Sequence, residues 1–272
     1  MFFIENTLKE KIILLYTKLR QKKPIIHCIT NYVAMNYVAN ILLSVGASPA
    51  MIHTYEEAGD FVEKANALTI NIGTLSPHWV LGMNHAITKA CNYNIPWILD
   101  PVAHFATPYR RQTIKKLLLL KPSVIRGNAS EIIGLDNKNY QGKGIDTIDY
   151  VNDAHEIAIQ NAQNYNCIIA VTGKSDFVTD GIKKVRIKGG SSLMTYITAM
   201  GCALTALIGA FIAISPEEPF EATIAALSTF AISGKKVSQK IDGPGLFMIH
   251  FLDELYCLKK EDFKQNNYIE IL

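Results

Sequence analysis

The chain has 272 residues, 49% of them hydrophobic and 19% charged, which is ample apolar material for a sizeable core. Its 27 basic and 24 acidic residues leave a net charge of +3 and form no basic block, so nucleic-acid binding is not indicated. The longest apolar run, about residues 203–214, is too short to span a bilayer, and no internal repeat or low-complexity tract stands out.

Helical spacing of Leu8, Ile12, Leu15 and Leu19 predicts a first helix over 6–21. Charges inside Met1-Phe-Phe-Ile-Glu5 make this start an amphipathic helix rather than a signal peptide. Residues 24–30 read as a short buried strand, and Asn31 as a cap for the helix whose apolar face runs from Val33 to Val45. Gly46 stops that helix. Strands are then expected over 47–53, 67–73, 95–101, 122–128 and 167–173. Helices over 55–67, 77–93, 107–120, 129–135 and 149–164 alternate with them, with a polar loop at about 136–146. Residues 177–188 read as a hairpin turning at Asp180-Gly181. Three apolar helices follow: one from about 200, one over 220–239, and one after Gly243-Pro-Gly245 that ends near Leu258.

Strands alternating with helices predict an α/β domain over 1–272, with a mainly parallel sheet and helices on both faces. Ligands of such sheets bind beyond the carboxyl ends of the strands. Thr30, Asn31, Asn71, Asp100, Arg126, Asn128, Glu131 and Thr172 all fall near those ends, which packing alone does not explain.

The stretch Thr198-Ala-Met-Gly-Cys202 turns into the helix from 200. The first N–H groups of a helix lack internal partners and carry partial positive charge, so this start suits an anion. A thiol there, Cys202, is expected to have its pKa lowered by the same field. The alternative reading is a core cysteine beside a packing glycine, Gly201. The five cysteines are scattered, odd in number and without a CxxC pair. That argues against a disulfide framework or a structural zinc site, and makes the cytoplasm the expected location. Gly173-Lys174-Ser175 imitates the end of a phosphate-binding P-loop, but the preceding Cys167-Ile-Ile-Ala-Val-Thr172 contains no glycine, so the motif fails.

Eight segments in order carry a more specific signal: His27-Cys-Ile-Thr-Asn31, Gly46-Ala-Ser-Pro-Ala-Met51, Asn71-Ile-Gly-Thr74, Leu99-Asp-Pro-Val102, Ile125-Arg-Gly-Asn-Ala-Ser-Glu131, Val171-Thr-Gly173, Met200-Gly-Cys-Ala-Leu204 and Gly243-Pro-Gly245. Together they resemble the hydroxyethylthiazole kinases, thiamin-salvage enzymes of the ribokinase-like superfamily. The resemblance implies a ribokinase-like three-layer fold and ATP-dependent phosphorylation of the primary alcohol of 4-methyl-5-(2-hydroxyethyl)thiazole. It also implies Mg²⁺ and a homotrimer with active sites between subunits. By the same resemblance, Met51, Ala199, Asn31 and Thr30 lie on the thiazole side, and Arg126, Thr172 and Asn128 on the ATP side. Asp100 and Glu131 match acidic positions near Mg²⁺, while Cys202, beside Gly201, occupies the place of a catalytic aspartate in related kinases.

One departure is visible. The family pattern Thr-Gly-x-Gly-Cys has Ala199 in place of its first glycine. If that position needs a positive φ, alanine costs about 1 kcal/mol or more. Three other readings stand beside the thiazole kinase: a degenerate relative that binds thiazole or nucleotide without turnover, a kinase for another small alcohol such as hydroxymethylpyrimidine, and a cysteine hydrolase built on Cys202.

Overall fold

The computed structural model describes residues 2–135, 151–265 and 268–272. The expected loop at 136–146 and the start of the helix expected over 149–164 lie outside them. Among the described residues nine strands form one sheet in the order β2-β1-β3-β4-β5-β6-β7-β8-β9. The first six are parallel: β1 (Ile25–Ile29), β2 (Ser48–Ala50), β3 (Ala67–Asn71), β4 (Trp97–Asp100), β5 (Val124–Asn128) and β6 (Ile168–Thr172). The last three are antiparallel: β7 (Asp176–Thr179), β8 (Lys184–Ile187) and β9 (Ile269–Ile271).

Two cores sandwich the sheet, because successive side chains of a strand point to opposite faces. Cys28, Ala67, Ile98, Val124 and Ala170 face one core, shared with helices α1 (Phe2–Lys22), α2 (Met35–Ser44), α8 (Met200–Ile214), α9 (Pro219–Ser238) and α10 (Pro244–Cys257). Ile29, Leu68, Leu99, Ile125 and Ile169 face the other. That side is covered by α3 (Tyr55–Val62), α4 (Pro77–Asn92), α5 (Pro108–Leu118), α6 (Ala129–Ile133) and α7 (Val151–Tyr165). The expected three layers are therefore present.

The chain leaves β1 through α2 on one face and leaves β2 through α3 on the other. From β1 the chain steps to β2 and from the adjacent β3 it steps the other way to β4, so the order reverses between β1 and β3 and a crevice opens beyond their carboxyl ends. Helix α8 packs across β1, β3 and β4 beside it. Gly209 sets that close approach, since a Cβ there would stand 2.7 Å from Thr69 Cγ2.

Some boundaries differ from expectation. Helix α2 begins at Met35, but Asn31 opens the turn before it: Asn31 Oδ1 accepts the Ala34 N–H at 3.1 Å. Strand β2 keeps three residues, with Pro49 on the sheet's edge strand, where its missing N–H costs no ladder bond. Two short C-terminal elements were not anticipated, α11 (Lys260–Lys264) and β9. Strand β9 joins β8 with Arg186 opposite Glu270, a pairing across most of a hundred residues that local pattern does not announce. Among the described residues no helix is long and apolar enough to cross a membrane.

Candidate active site

The parallel strands bring their carboxyl ends to one edge. Asn71 stands opposite Asp100 in the register, and Asn128 opposite Thr172. A buried chain of hydrogen bonds runs along this edge and across to α8. Asn31 Nδ2 donates to Asn71 Oδ1 at 2.8 Å and to Cys202 Sγ at 3.4 Å. Asn71 Nδ2 donates to Asp100 Oδ2 at 2.8 Å, and the Thr205 hydroxyl donates to the same oxygen at 2.9 Å. Arg126 Nη1 lies 3.8 Å from Asp100 Oδ2, and Arg126 Nη2 donates to Thr172 Oγ1 at 2.5 Å.

Asp100 is 1% exposed. Burial pushes its carboxyl above the usual carboxylate range, while Arg126, Thr205 and Asn71 pull it back. Among the described residues, three buried polar atoms of this edge have no protein partner: Thr30 Oγ1, Asp100 Oδ1 and Arg126 Nε. Buried polar atoms are normally satisfied, so an alcohol, a carboxylate oxygen and a guanidinium N–H left open together mark a place for a polar ligand.

Glu131 is buried as deeply but held differently. Its Oε2 accepts the Asn128 N–H at 2.8 Å and its Oε1 the Ala103 N–H at 3.0 Å. Asn128 Oδ1 in turn accepts the Glu131 N–H at 2.9 Å, which completes a capping box at the start of α6. Burial first, and the charge of Asp100 second, raise the Glu131 carboxyl. The Asn128 side chain thus has a structural task at its strand end.

Helix α8 begins beside these groups. Ala199 precedes it with φ +67, in the left-handed region, so the turn has the backbone conformation for which glycine is the usual residue. Its carbonyl accepts the Ala203 N–H, and the N–H groups before that one lack helical partners. Gly201 makes room for the guanidinium: a Cβ would stand 2.5 Å from Arg126 Nη1. The expectation for Cys202 is reversed. Its thiol is pushed up to about 12, by burial first and by the Asp100 charge second. The field of a helix start is worth about 1 kcal/mol or less and does not offset this. The side chain of Cys202 is bonded to an amide, Asn31, rather than to a histidine, so the arrangement for thiolate attack is not assembled.

Met51 follows β2, partly buried against the core that also holds Cys202. Two residues later His53 lies 4.6 Å from the Trp79 ring, which is 4.9 Å from Tyr32. The structure thus joins Asn31, Asn71, Asp100, Arg126, Thr172 and Cys202 in one contiguous network, while Thr30 only precedes Asn31 in the chain and Met51 only packs against the core beside Cys202. Two participants escaped sequence reasoning. Thr205 is a hydroxyl on an otherwise apolar helix, one turn after Gly201, and that position was its only signal. Arg110 donates to the carbonyls of Ile72, Val102 and Gly73, tying together the loops after β3 and β4.

A magnesium ion fits this donor set in part. The ion prefers hard oxygens and retains waters. Asp100 Oδ1 offers an unpartnered oxygen, and Glu131 offers the remaining lone pairs of two oxygens that already accept N–H groups. Among the described residues no cluster of three or more metal-ligating side chains exists, so phosphate and water would supply the rest.

Comparison with known proteins settles the family. Residues 16–261 match the model of the hydroxyethylthiazole kinase family. This chain belongs to the hydroxyethylthiazole kinase family. A hydroxyethylthiazole kinase of Rhizobium etli is 55% identical over 243 residues, covering 89% of this chain and 94% of that one. The solved structure of a hydroxyethylthiazole kinase from Pyrococcus horikoshii OT3 superposes with a TM-score of 0.89 at 34% identity, covering 96% of this chain and 98% of that one. A ribokinase-like superfamily protein from Enterococcus faecalis shares the fold, with a TM-score of 0.60 at 12% identity over 85% of this chain and 86% of that one. The expected ribokinase-like fold is present, and the Rhizobium etli and Pyrococcus horikoshii relatives are named kinases.

Proposed function

We propose that this protein transfers the γ-phosphoryl group of ATP to the primary alcohol of 4-methyl-5-(2-hydroxyethyl)thiazole, in the thiamin pathway. The observation that carries the reading is the pair of unpartnered polar atoms, Asp100 Oδ1 and Arg126 Nε, on side chains that meet beside the start of α8 in a chain of this family. In the reaction the alcohol oxygen forms a bond to the γ-phosphorus as the bond to the β–γ bridging oxygen breaks, and ADP leaves. Phosphoryl transfer asks chiefly for alignment and for compensation of charge on the phosphate oxygens. Arg126 and the N–H groups of residues 200–202 supply that compensation, and Gly201 keeps the space the guanidinium needs. Magnesium, when bound, neutralises charge on the phosphates, with Asp100 and Glu131 as its protein ligands. Thr172 and Asn128 border the ATP side. Met51, Ala199, Asn31 and Thr30 border the thiazole.

The Cys202 thiol stays protonated near neutral pH, so it shapes the acceptor's surroundings rather than taking its proton. That proton passes late, to solvent water or a phosphate oxygen, as a loose transition state allows. The left-handed φ at Ala199 keeps the turn in place despite the lost glycine, which favours an active enzyme over a degenerate binder. A cytoplasmic homotrimer with sites between subunits completes the reading by analogy with the family. A coupled ADP-release assay with Mg-ATP, with and without the thiazole, tests it, with the phosphate ester sought by mass spectrometry. Thiazole-dependent ADP together with the ester is expected. ADP release indifferent to the thiazole would overturn the reading.

A further inference from the structure

We propose that Thr205 and Asn71 are positioning residues that hold the Asp100 carboxylate for magnesium-ATP. The inference rests on the kinase reading and deepens it. The two oxygens of Asp100 are in different states. Oδ2 accepts both the Asn71 amide at 2.8 Å and the Thr205 hydroxyl at 2.9 Å, while Oδ1 is buried without a partner. Two donors on one oxygen restrict rotation of the carboxylate about its Cβ–Cγ bond. They also reserve the other oxygen for a ligand from outside the protein.

Thr205 has one hydroxyl proton and two acceptors in reach. Gly201 O is the farther of them, at 3.3 Å, so the proton belongs on the carboxylate. Thr205 is itself 1% exposed on a helix whose neighbouring positions are Ala, Leu and Ile. Burying a hydroxyl there is unfavourable unless its bond is made. The residue also lies one turn into α8 from Gly201, so it ties the start of that helix to the acid on β4. Partners that orient a ligating carboxylate typically change metal affinity or activity about 10–100-fold.

The test compares Thr205→Val and Thr205→Ala, which remove the donor, with Thr205→Ser, which keeps it. One readout is the affinity for a non-hydrolysable ATP analogue, measured by calorimetry with and without Mg²⁺. The other is steady-state kinetics with Mg²⁺ and thiazole varied separately. In the Val and Ala variants the magnesium-dependent gain in analogue affinity should shrink about ten-fold, and half-maximal turnover should need about ten-fold more Mg²⁺. Metal-free analogue affinity and the KM for thiazole should stay near wild type, and Ser should restore both magnesium readouts. An unchanged magnesium response in a folded Val or Ala variant would overturn the proposal, as would an equal loss of thiazole affinity. Should Val disturb packing, the smaller Ala decides. Wild-type protein without thiazole-dependent turnover would sink the kinase reading alone, because the calorimetric comparison needs no turnover.

Discussion

Two carboxylates stand at neighbouring strand ends, equally buried and put to different use. At the end of β4, Asp100 has one oxygen bound to Asn71 and Thr205 and one oxygen open. Just past β5, each Glu131 oxygen already accepts one backbone N–H, from Ala103 and from Asn128, and has only its second lone pair to offer. Burial raises both groups, so burial does not distinguish them. The difference lies in spare valence: an acid whose oxygens are all engaged locally serves the fold first, whereas an acid with an open buried oxygen is available to a ligand. Glu131 is therefore expected to carry more stability, and Asp100 more catalysis.

The sharpest test of that contrast is Asp100→Asn. It keeps an oxygen for Asn71 and Thr205 but removes the charge, and turnover should fall about 100-fold with little change in Tm. A loss of Tm without loss of turnover would break the comparison. Glu131→Gln should do the opposite in thermal melts. One backbone N–H of its pair would face an amide NH₂, at a cost of about 1–3 kcal/mol, whatever happens to activity. A Gln variant with wild-type Tm would place Glu131 in the same class as Asp100. Gly201→Ala probes the neighbour both acids share, because the added methyl displaces the Arg126 guanidinium. The KM for ATP should rise more than the KM for thiazole in steady-state kinetics, and the reverse pattern would move Arg126 off the phosphate side. The smallest effect is expected from Ala199→Gly, which relieves a left-handed alanine and should add up to about 1 kcal/mol of stability in denaturant unfolding. A destabilised Gly variant would show that the turn is unstrained.

The sequence was most legible where chemistry coincides with strand ends. Thr30, Asn31, Asp100, Arg126 and Thr172 were readable because a parallel sheet must deliver its carboxyl ends to one edge, and local patterns located those ends. It was least legible where a role depends on a neighbour. Thr205 reads as one more residue of an apolar helix until the helix is laid across β4. The Cys202 expectation failed for a related reason: the helix start is visible in the sequence, but the burial and the Asp100 charge that outweigh it are supplied by other segments. Asn128 and Glu131 form a capping box that the spacing Asn-x-x-Glu itself contains, and the same spacing also suits their candidate role at the phosphates.

By itself, then, the sequence determined the alternation of strands and helices around a mainly parallel sheet, the polar residues at its carboxyl edge and the family, because hydrophobic period and motif order are local properties repeated along the chain. The tertiary structure decided which oxygen of which acid stays open, which residue holds it, and that a cysteine at a helix start remains a thiol. Those outcomes depend on desolvation and on hydrogen-bond partners contributed by segments far apart in the chain, and only packing brings them together.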